Sequence, residues 1–325
     1  MNVCDQSSRH VPFDPDQILA AEDAAIRLFD AGFKREAISL VTHAQNSAEL
    51  HGDLAQSAHV ARLAPLKKRF MTSDVVIALH QPSYLPWLGY LHKIYYADKF
   101  AIQDDVQFTR KSFIKRAVIK KPNSNTSTYL SIPAKKHSDR CGISEIEIDD
   151  SDDWRAEHLR KIHAAYSRTM YFGEFFPKLE ASLADTRRSS ALVDVTNAML
   201  FFLLDALEIE REIVLLSNLT EGMTFSNAHE RNMSMCRLLG GTIYFSGAGA
   251  RKYHEGMPLP ERMKLIYQNI AHYLNEHPYL PKEQFINGLS ALDALFCIGP
   301  KRIVGIFEDY ENPIFNTPYV PHGLQ

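Results

Sequence analysis

Residues 14–71 carry apolar positions at helical spacing and contain no run typical of a strand. In residues 18–30 the apolar side chains recur every three or four positions, which predicts a helix with one buried face. Gly32 follows where a glycine commonly caps a helix. The same spacing predicts two further helices over residues 35–46 and 54–70. This part of the chain is therefore predicted to be a small all-α module.

The pattern changes at Asp74, where short apolar or alternating runs begin to alternate with longer amphipathic stretches. Strands are predicted over residues 75–79, 100–103, 128–133, 143–149, 212–217, 242–246 and 265–269, and helices over residues 153–167, 173–183, 190–207, 227–239 and 290–298. Strands that alternate with helices are typical of a layered α/β domain. The pattern does not determine the strand order.

We therefore expect two parts, a helical module over residues 1–73 and an α/β domain over residues 74–325. The 325 residues are 45% hydrophobic and 23% charged, which is ordinary for a globular protein and excludes a fibrous or disordered chain. The formal net charge of -3 creates no strong field that would attract nucleic acid or an anionic membrane. DNA is thus not an expected partner.

The cysteines and the apolar runs indicate a cytoplasmic protein. Cys4, Cys141, Cys236 and Cys297 are widely and irregularly spaced, which argues against a zinc knuckle and against a dense disulfide framework. The first residues lack the apolar core of a secretory signal. No apolar run approaches the roughly 20 residues that span a bilayer.

The polar residues that follow the first two predicted strands form the candidate active site. Ligands of open α/β sheets bind outside the carboxyl ends of the strands. The first strand delivers His80 to such an end, and the second delivers Asp104 and Asp105 to what we expect to be the same edge. His80 is the candidate general base, with an aspartate orienting its ring. We expect Arg116 to share this pocket with the three catalytic candidates.

Further polar and aromatic residues are candidates for substrate binding. They follow the same two strands or the predicted strand over residues 242–246, and they are Gln81, Tyr84, Trp87, Gln107, Lys111, Arg116, Tyr244, Ser246, Gly247 and Tyr253. The cations and the Ser246-Gly247 turn would bind a phosphate or carboxylate, or stabilise an oxyanion. No residues are assigned to a metal, and no cofactor is identified.

Structural interpretations of the same residues remain open. His80 could be a core histidine bonded to the backbone, Asp104 a cap, and Asp105 the partner of Arg116 in a salt bridge. Trp87 is expected to pack, and the lysines to form a solvated basic face. Cys236 and Cys297 read as small buried hydrophobes.

The segment from His80 to Arg116 resembles the signature of the WbqC-like family. The matching motifs extend over about residues 75–299, and they are His80-Gln81-Pro82, Tyr84, Pro86-Trp87, Gly89-Tyr90, Lys93-Ile94, Asp98, Asp104 to Phe108, Arg116, Trp154, His158, Ile162, Tyr166, Tyr171-Phe172, Cys236, Leu239-Gly240, Tyr244 to Gly247, Tyr253, and Leu289 to Gly299. Because several spaced motifs occur in order, the resemblance is specific.

The resemblance implies a function, and two departures qualify it. Family members often sit among genes for surface-polysaccharide and natural-product assembly, and glycine or aminoacyl transfer to a sugar has been suggested for them. Where the family has asparagines beside the arginine, this chain has Lys115 and Ala117, so its substrate is expected to differ. Where the family often has Asn-Cys, this chain has Cys297-Ile298, which leaves a catalytic cysteine without support.

Three functions are compatible with these residues. The favoured one is a transferase that moves an acyl or aminoacyl group from a carrier-bound, tRNA-bound or adenylate donor to an amine or hydroxyl of a polar acceptor, such as an amino sugar. The second is a metal-dependent glycosyl- or nucleotidyl-type transferase, in which Asp104 and Asp105 hold a divalent cation. The third is a non-catalytic binding module.

The helical module suggests a further partner. Residues 29–44 look weakly like one half of a tetratricopeptide-type hairpin. Such a hairpin would offer a docking surface for a carrier or partner protein, and the alternative is a plain helical appendage.

Overall fold

The computed structural model describes residues 15–30, 37–42, 44, 74–110, 112–138 and 140–309. Contacts between Cα atoms divide the chain into two compact units, Met1–Asp74 and Val75–Gln325. A helix in the first unit and a layered α/β arrangement in the second confirm the predicted fold class.

The first unit contains helix α1 (Pro15–Asp30), and residues 37–42 are also helical. Ala25, Ala37, Val41 and Ala44 form its buried core, which is the face that the apolar spacing predicts. Gly32 and the helix predicted over residues 54–70 lie outside the described residues.

The second unit is built on a parallel sheet of five strands. They are β1 (Val76–His80), β2 (Lys99–Ile102), β5 (Glu212–Leu215), β6 (Ile243–Gly247) and β7 (Lys264–Gln268). Their order is β5-β2-β1-β6-β7, and every neighbouring pair is parallel. The strands β3 (Arg116–Lys120) and β4 (Ser127–Ser131) form a separate antiparallel hairpin.

Helices cover both faces of this sheet. In chain order they are α2 (Leu88–Tyr96), α3 (Trp154–Tyr166), α4 (Phe172–Asp185), α5 (Leu192–Ala206), α6 (Ala228–Leu238), α7 (Arg251–His254), α8 (Ile270–Glu276), α9 (Ala291–Ile298) and α10 (Pro300–Asp309). Residues of α2 and of α3 to α5 join one large apolar core, whereas α6 packs in a second, smaller core. Central strand β1 serves both cores, because Ala78 faces the first and Ile77 the second.

This topology creates a crevice beside β1. From β1 the chain moves outward through β2 to β5, and it then returns to the opposite side of β1 to form β6 and β7. The connection after β1 lies on the α2 face, whereas α7, after β6, lies against α6 on the other face. Because the two connections diverge, the carboxyl ends of β1 and β6 flank the crevice where ligands bind in doubly wound folds.

Several elements differ from the sequence-based expectations. The strand predicted over residues 143–149 is wrong: a 3₁₀ turn occupies Ile143–Glu145, and only isolated bridges follow. Strand β3 and helices α2, α7, α8 and α10 were not predicted. Helix α2 begins directly after Trp87. The Trp87 indole lies so close to Gly89 that a Cβ added to Gly89 would stand 2.2 Å from Cζ2 of the indole. Gly89 is thus required for the close packing of the tryptophan on the helix.

Candidate functional site

His80 ends β1, and among the described residues a hydrogen-bond partner is found for only one of its ring nitrogens. Its Nδ1 lies 3.0 Å from the carbonyl oxygen of Gln81, and the edge of the Tyr90 ring contacts it at a centroid distance of 4.8 Å. Because a carbonyl only accepts, Nδ1 carries the proton and Nε2 carries the lone pair of the neutral ring. No described residue donates a hydrogen bond to Nε2, and the side chain is half-buried.

The surroundings of His80 keep it neutral. Burial lowers its pKa to about 3, and the nearby Lys93 amine adds to this effect. His80 therefore offers an uncharged acceptor at the crevice at any pH near neutrality. The carbonyl that orients the ring belongs to the next residue in the chain and not to an aspartate.

Lys93 is a functional candidate that the sequence reasoning left out. It lies on α2 with a side chain only 3% exposed, and its Nζ donates to the carbonyl of Leu79 at 3.0 Å. Burial lowers its pKa to about 7. The signal was present in the sequence, since a single lysine stands in a stretch that is otherwise apolar or aromatic apart from His92.

The two aspartates bind other partners. Asp104 is buried and accepts hydrogen bonds from the backbone N–H and the hydroxyl of Ser217, at 2.9 and 2.6 Å. Asp105 accepts from Thr220 Oγ1 at 2.7 Å and pairs with Arg231 of α6. Neither carboxylate makes a hydrogen bond to His80, so the expected orientation of the ring by an aspartate is wrong. The alternative salt bridge with Arg116 is replaced by the one with Arg231.

Asp105 and Gln107 reach an open polar cleft. It has a volume of about 500 Å³ and lies beyond the carboxyl ends of β2 and β5. Acidic, basic, amide and hydroxyl groups line it together, namely Asp105, Gln107, Arg140, Ser144, Glu145, Ser217, Thr220 and Glu221. Two sequence-predicted residues thus meet here, whereas His80 and Arg116 are not in its lining.

Arg116 lies on the β3-β4 hairpin. Its Nε donates to the carbonyl of Ser112 at 3.3 Å, and its guanidinium lies 5.0 Å from the centre of the Tyr129 ring. The segment that precedes β3 contacts the loop after β1, because the backbone N–H of Tyr84 donates a hydrogen bond to the carbonyl of Phe113. Lys111 lies outside the described residues.

Tyr84 and Trp87 pack within the protein. The Tyr84 side chain is fully buried, and its hydroxyl is hydrogen-bonded to His158 Nδ1 at 2.9 Å. Trp87 is half-buried and forms an isolated bridge with Ser290. Both residues fix the loop that follows β1. The Gln81 carbonyl contributes to the same loop by accepting from Tyr90 at 3.2 Å.

On the other side of the crevice, β6 presents its own polar residues. Tyr244 and Ser246 are buried, Gly247 is half-buried, and Tyr253 is 58% exposed. Gln103 donates from Nε2 to Asn232 Oδ1 at 2.8 Å, and Asn232 donates from Nδ2 to the Tyr244 hydroxyl at 3.3 Å. This chain of amides connects the end of β2 with β6.

The carboxylates at this edge are poorly suited to hold a divalent cation. Both oxygens of Asp104 accept from Ser217, and both oxygens of Asp105 are engaged by Arg231 and Thr220. Within the described ranges, no three His, Cys, Asp or Glu side chains are arranged as metal ligands.

Cys236 and Cys297 sit in surroundings that disfavour a thiolate. Cys236 is fully buried, and burial raises its pKa. Burial also raises the pKa of Cys297 to about 12, and Asp293 contributes to the shift. Both thiols are therefore unreactive near neutral pH, which agrees with their interpretation as small hydrophobic residues.

No helix in the described part of the chain is both long enough and apolar enough to span a bilayer.

Fold and site together define a layered α/β protein with a polar crevice at the carboxyl edge of its parallel sheet. The model of the WbqC-like protein family matches residues 81–304, well over half of the chain. The protein therefore belongs to the WbqC-like family, as the motifs from His80 onward indicated. It is similar to the uncharacterized protein Rv1507c of Mycobacterium tuberculosis, with 28% identity over 178 residues, which cover 54% of this chain and 74% of that protein. No solved structure matches.

Proposed function

We propose that this protein transfers an acyl or aminoacyl group to an amine or hydroxyl of a small polar acceptor, such as an amino sugar, in surface-polysaccharide or natural-product biosynthesis. The observation that carries the proposal is the position of His80 at the carboxyl end of the central strand, with Nδ1 held by the Gln81 carbonyl and the lone pair left on Nε2. The ring presents a neutral lone pair at the end of the central strand, beside the crevice. A neutral imidazole nitrogen can accept a proton from an attacking amine or hydroxyl.

In the transfer step, the acceptor nitrogen or oxygen attacks the carbonyl carbon of the donor. The new C–N or C–O bond forms, the acceptor proton passes to His80 Nε2, and the thiol, phosphate or ribose hydroxyl of the donor leaves. A pKa of about 3 makes free His80 a weak base, and the charge of Lys93 contributes to that weakness. An anionic ligand bound beside these two groups would raise the pKa of both.

The metal-dependent glycosyl- or nucleotidyl-type alternative is less well supported. It requires free carboxylate oxygens, whereas those of Asp104 and Asp105 are occupied by serine, threonine and arginine partners. A pure binding module remains the other alternative, and the cleft lined by Asp105 and Gln107 would then be the ligand site.

A comparison of histidine variants tests the proposal. Purified protein is screened by thermal shift with amino sugars, aminoacyl thioesters and nucleotide sugars, with and without magnesium, and the ligands that bind are assayed for acyl transfer. We expect His80→Ala to lower kcat/KM by more than about 100-fold, the usual scale for loss of a general base. His272→Ala, an exposed histidine on α8, is the matched control and should retain activity.

Two results would contradict the proposal. Full transfer activity in His80→Ala would remove His80 from the mechanism. A thermal shift that requires both magnesium and a nucleotide sugar would favour glycosyl or nucleotidyl transfer instead.

A further inference from the structure

Positive charge is concentrated in residues 106–142. This segment contains nine lysines and arginines and one acidic residue, whereas the whole chain has 36 lysines and arginines and 39 acidic residues. The net charge of -3 therefore averages a strongly basic segment with an acidic remainder. Such asymmetry within one chain is typical of a local surface that binds a polyanion.

The β3-β4 hairpin presents part of this segment to solvent. Its inward-facing side chains are buried in the large apolar core, and they are Ala117, Ile119 and Leu130. The opposite face carries Arg116 and Tyr129, and the tyrosine is 51% exposed. The Arg116 guanidinium lies 5.0 Å from the centre of the Tyr129 ring. The outer face of the hairpin thus combines an accessible aromatic ring with a planar cation.

Further cations and a second aromatic ring lie beside Arg116. Burial lowers the pKa of Lys115, and the charges of Arg116 and Arg110 lower it further, so these three cations are close enough to repel one another. An anion bound among them would relieve this repulsion. Arg116 also donates to the carbonyl of Ser112, and the next residue, Phe113, is 55% exposed.

The basic hairpin surface comprises Arg110, Phe113, Lys115, Arg116 and Tyr129. We propose that this surface binds single-stranded RNA, with its cations on the phosphates and its aromatic rings stacked on the bases. Proteins that bind single strands combine positive charge with exposed aromatic side chains in this way. RNA complements both features at once, because each nucleotide carries an anionic phosphate and a flat base.

The inference rests on the acyl-transfer function proposed above where it identifies the donor. Of carrier-bound, tRNA-bound and adenylate donors, the tRNA-bound one presents a single strand of several nucleotides, at the 3′ end that carries the acyl group. The basic segment also continues into the polar cleft, because Gln107 and Arg140 line it. The donor is then an aminoacyl-tRNA. The ester bond to its terminal ribose breaks, and that ribose hydroxyl takes up the proton that His80 accepts from the attacking amine or hydroxyl.

Fluorescence anisotropy tests the binding without the acyl group. A fluorescein-labelled single-stranded RNA of about 12 nucleotides that ends in CCA is titrated with the full-length protein. We expect Tyr129→Ala to weaken binding by about 5- to 150-fold, the effect of removing one stacking ring, and Tyr129→Phe to bind like wild type. Phe201→Ala is the matched control, because Phe201 is also 51% exposed but lies on α5, and it should bind like wild type.

The salt dependence of the same titration tests the phosphate contacts. The logarithm of the binding constant should fall with the logarithm of the salt concentration, with a slope of about −0.7 for each phosphate contact. Arg116→Gln should make this slope less steep by about 0.7. Arg160→Gln, at an exposed arginine on α3, is the control and should leave the slope unchanged.

Several results would overturn the proposal. They are no binding of the RNA, equal affinity of Tyr129→Ala and wild type, and tighter binding of an RNA duplex of the same length, whose bases are not available for stacking. Vesicles that contain phosphatidylglycerol and an acidic carrier protein are titrated in parallel. Tighter binding of either than of the RNA would assign the surface to that partner instead.

The two proposals fail separately. Acyl transfer from a thioester by a protein that does not bind RNA would retain the proposed function and eliminate the RNA surface. RNA binding that depends on Tyr129, without transfer from an aminoacyl-tRNA or any other donor, would retain the surface and contradict the function.

Discussion

Replacing Lys93 with methionine should make the protein more stable, by an amount that depends on pH. The Lys93 ammonium is buried on α2, and the described residues supply its Nζ with one carbonyl contact and no carboxylate. Its pKa falls from 10.5 to about 7. Since one pKa unit corresponds to 1.36 kcal/mol, this shift costs the folded state about 4 kcal/mol at pH 7. Methionine has a similar length and carries no charge, so the substitution removes that cost.

The sign of the pH dependence follows from the same shift. Between pH 7 and 10.5 the unfolded chain binds more protons at Lys93 than the folded protein, so the free energy of unfolding rises with pH across this window. The advantage of Lys93→Met over wild type should therefore decrease from about 4 kcal/mol at pH 7 to about 2 kcal/mol at pH 9. Urea unfolding followed by tryptophan fluorescence measures it, because Trp87 and Trp154 both report on the α/β unit.

Lys121→Met, at an exposed lysine, is the matched control and should leave the pH dependence unchanged. If Lys93→Met and wild type differ by a constant amount between pH 7 and 9, Lys93 does not titrate in this window and the argument is refuted.

Two further predictions concern packing and the aspartate cluster. Gly89→Ala should destabilise the α/β unit by about 1–3 kcal/mol, because its Cβ would stand 2.2 Å from the Trp87 indole. Gly173→Ala is the control, because no atom lies within 4 Å of the added Cβ in α4, and it should be neutral or stabilising. Equal urea midpoints for the Gly89 and Gly173 variants would contradict this packing argument. Asp105→Ala removes the partner of Arg231, which is only 11% exposed, and should cost about 3 kcal/mol or more. The double variant Asp105→Ala/Arg231→Met should recover part of that loss, and no recovery would show that the pair is not coupled.

Local patterns predicted the framework of the site better than its contacts. The apolar run before His80 was sufficient to place the histidine at a strand end, and the run before Asp104 did the same for the aspartates. The hydrogen-bond and ion-pair partners of these residues could not be predicted from local patterns, because Asp105 pairs with Arg231, 126 positions further along the chain. A sequence pattern of charge and hydrophobicity does not specify which of several arginines forms an ion pair with an aspartate so distant in the chain.

The wrong strand over residues 143–149 has a comparable cause. Ile143, Ile146 and Ile148 are buried, so the apolar pattern did report burial. Their backbone N–H groups, however, bond to scattered single positions rather than to a partner strand, as in the bonds from Ile143 N to the carbonyl of Val106 and from Ile148 N to the carbonyl of Ser190. The spacing of apolar residues indicates which side chains are buried, but it does not determine which groups form hydrogen bonds with the backbone.

The position of β1 in the sheet has a consequence for synthesis of the chain. Its neighbour β6 is fixed by contacts such as the bond from Val75 N to Thr242, which spans 167 residues. At the usual rate of about 5–20 residues per second, a ribosome needs about 10–30 s to add that length. During this time one edge of β1 is unpaired. The core around its apolar side chains is also incomplete, because it still lacks Tyr244 and Met233. A nascent chain of this protein is thus exposed to misassociation until its last quarter emerges, and chaperone binding before residue 243 should increase its folding yield.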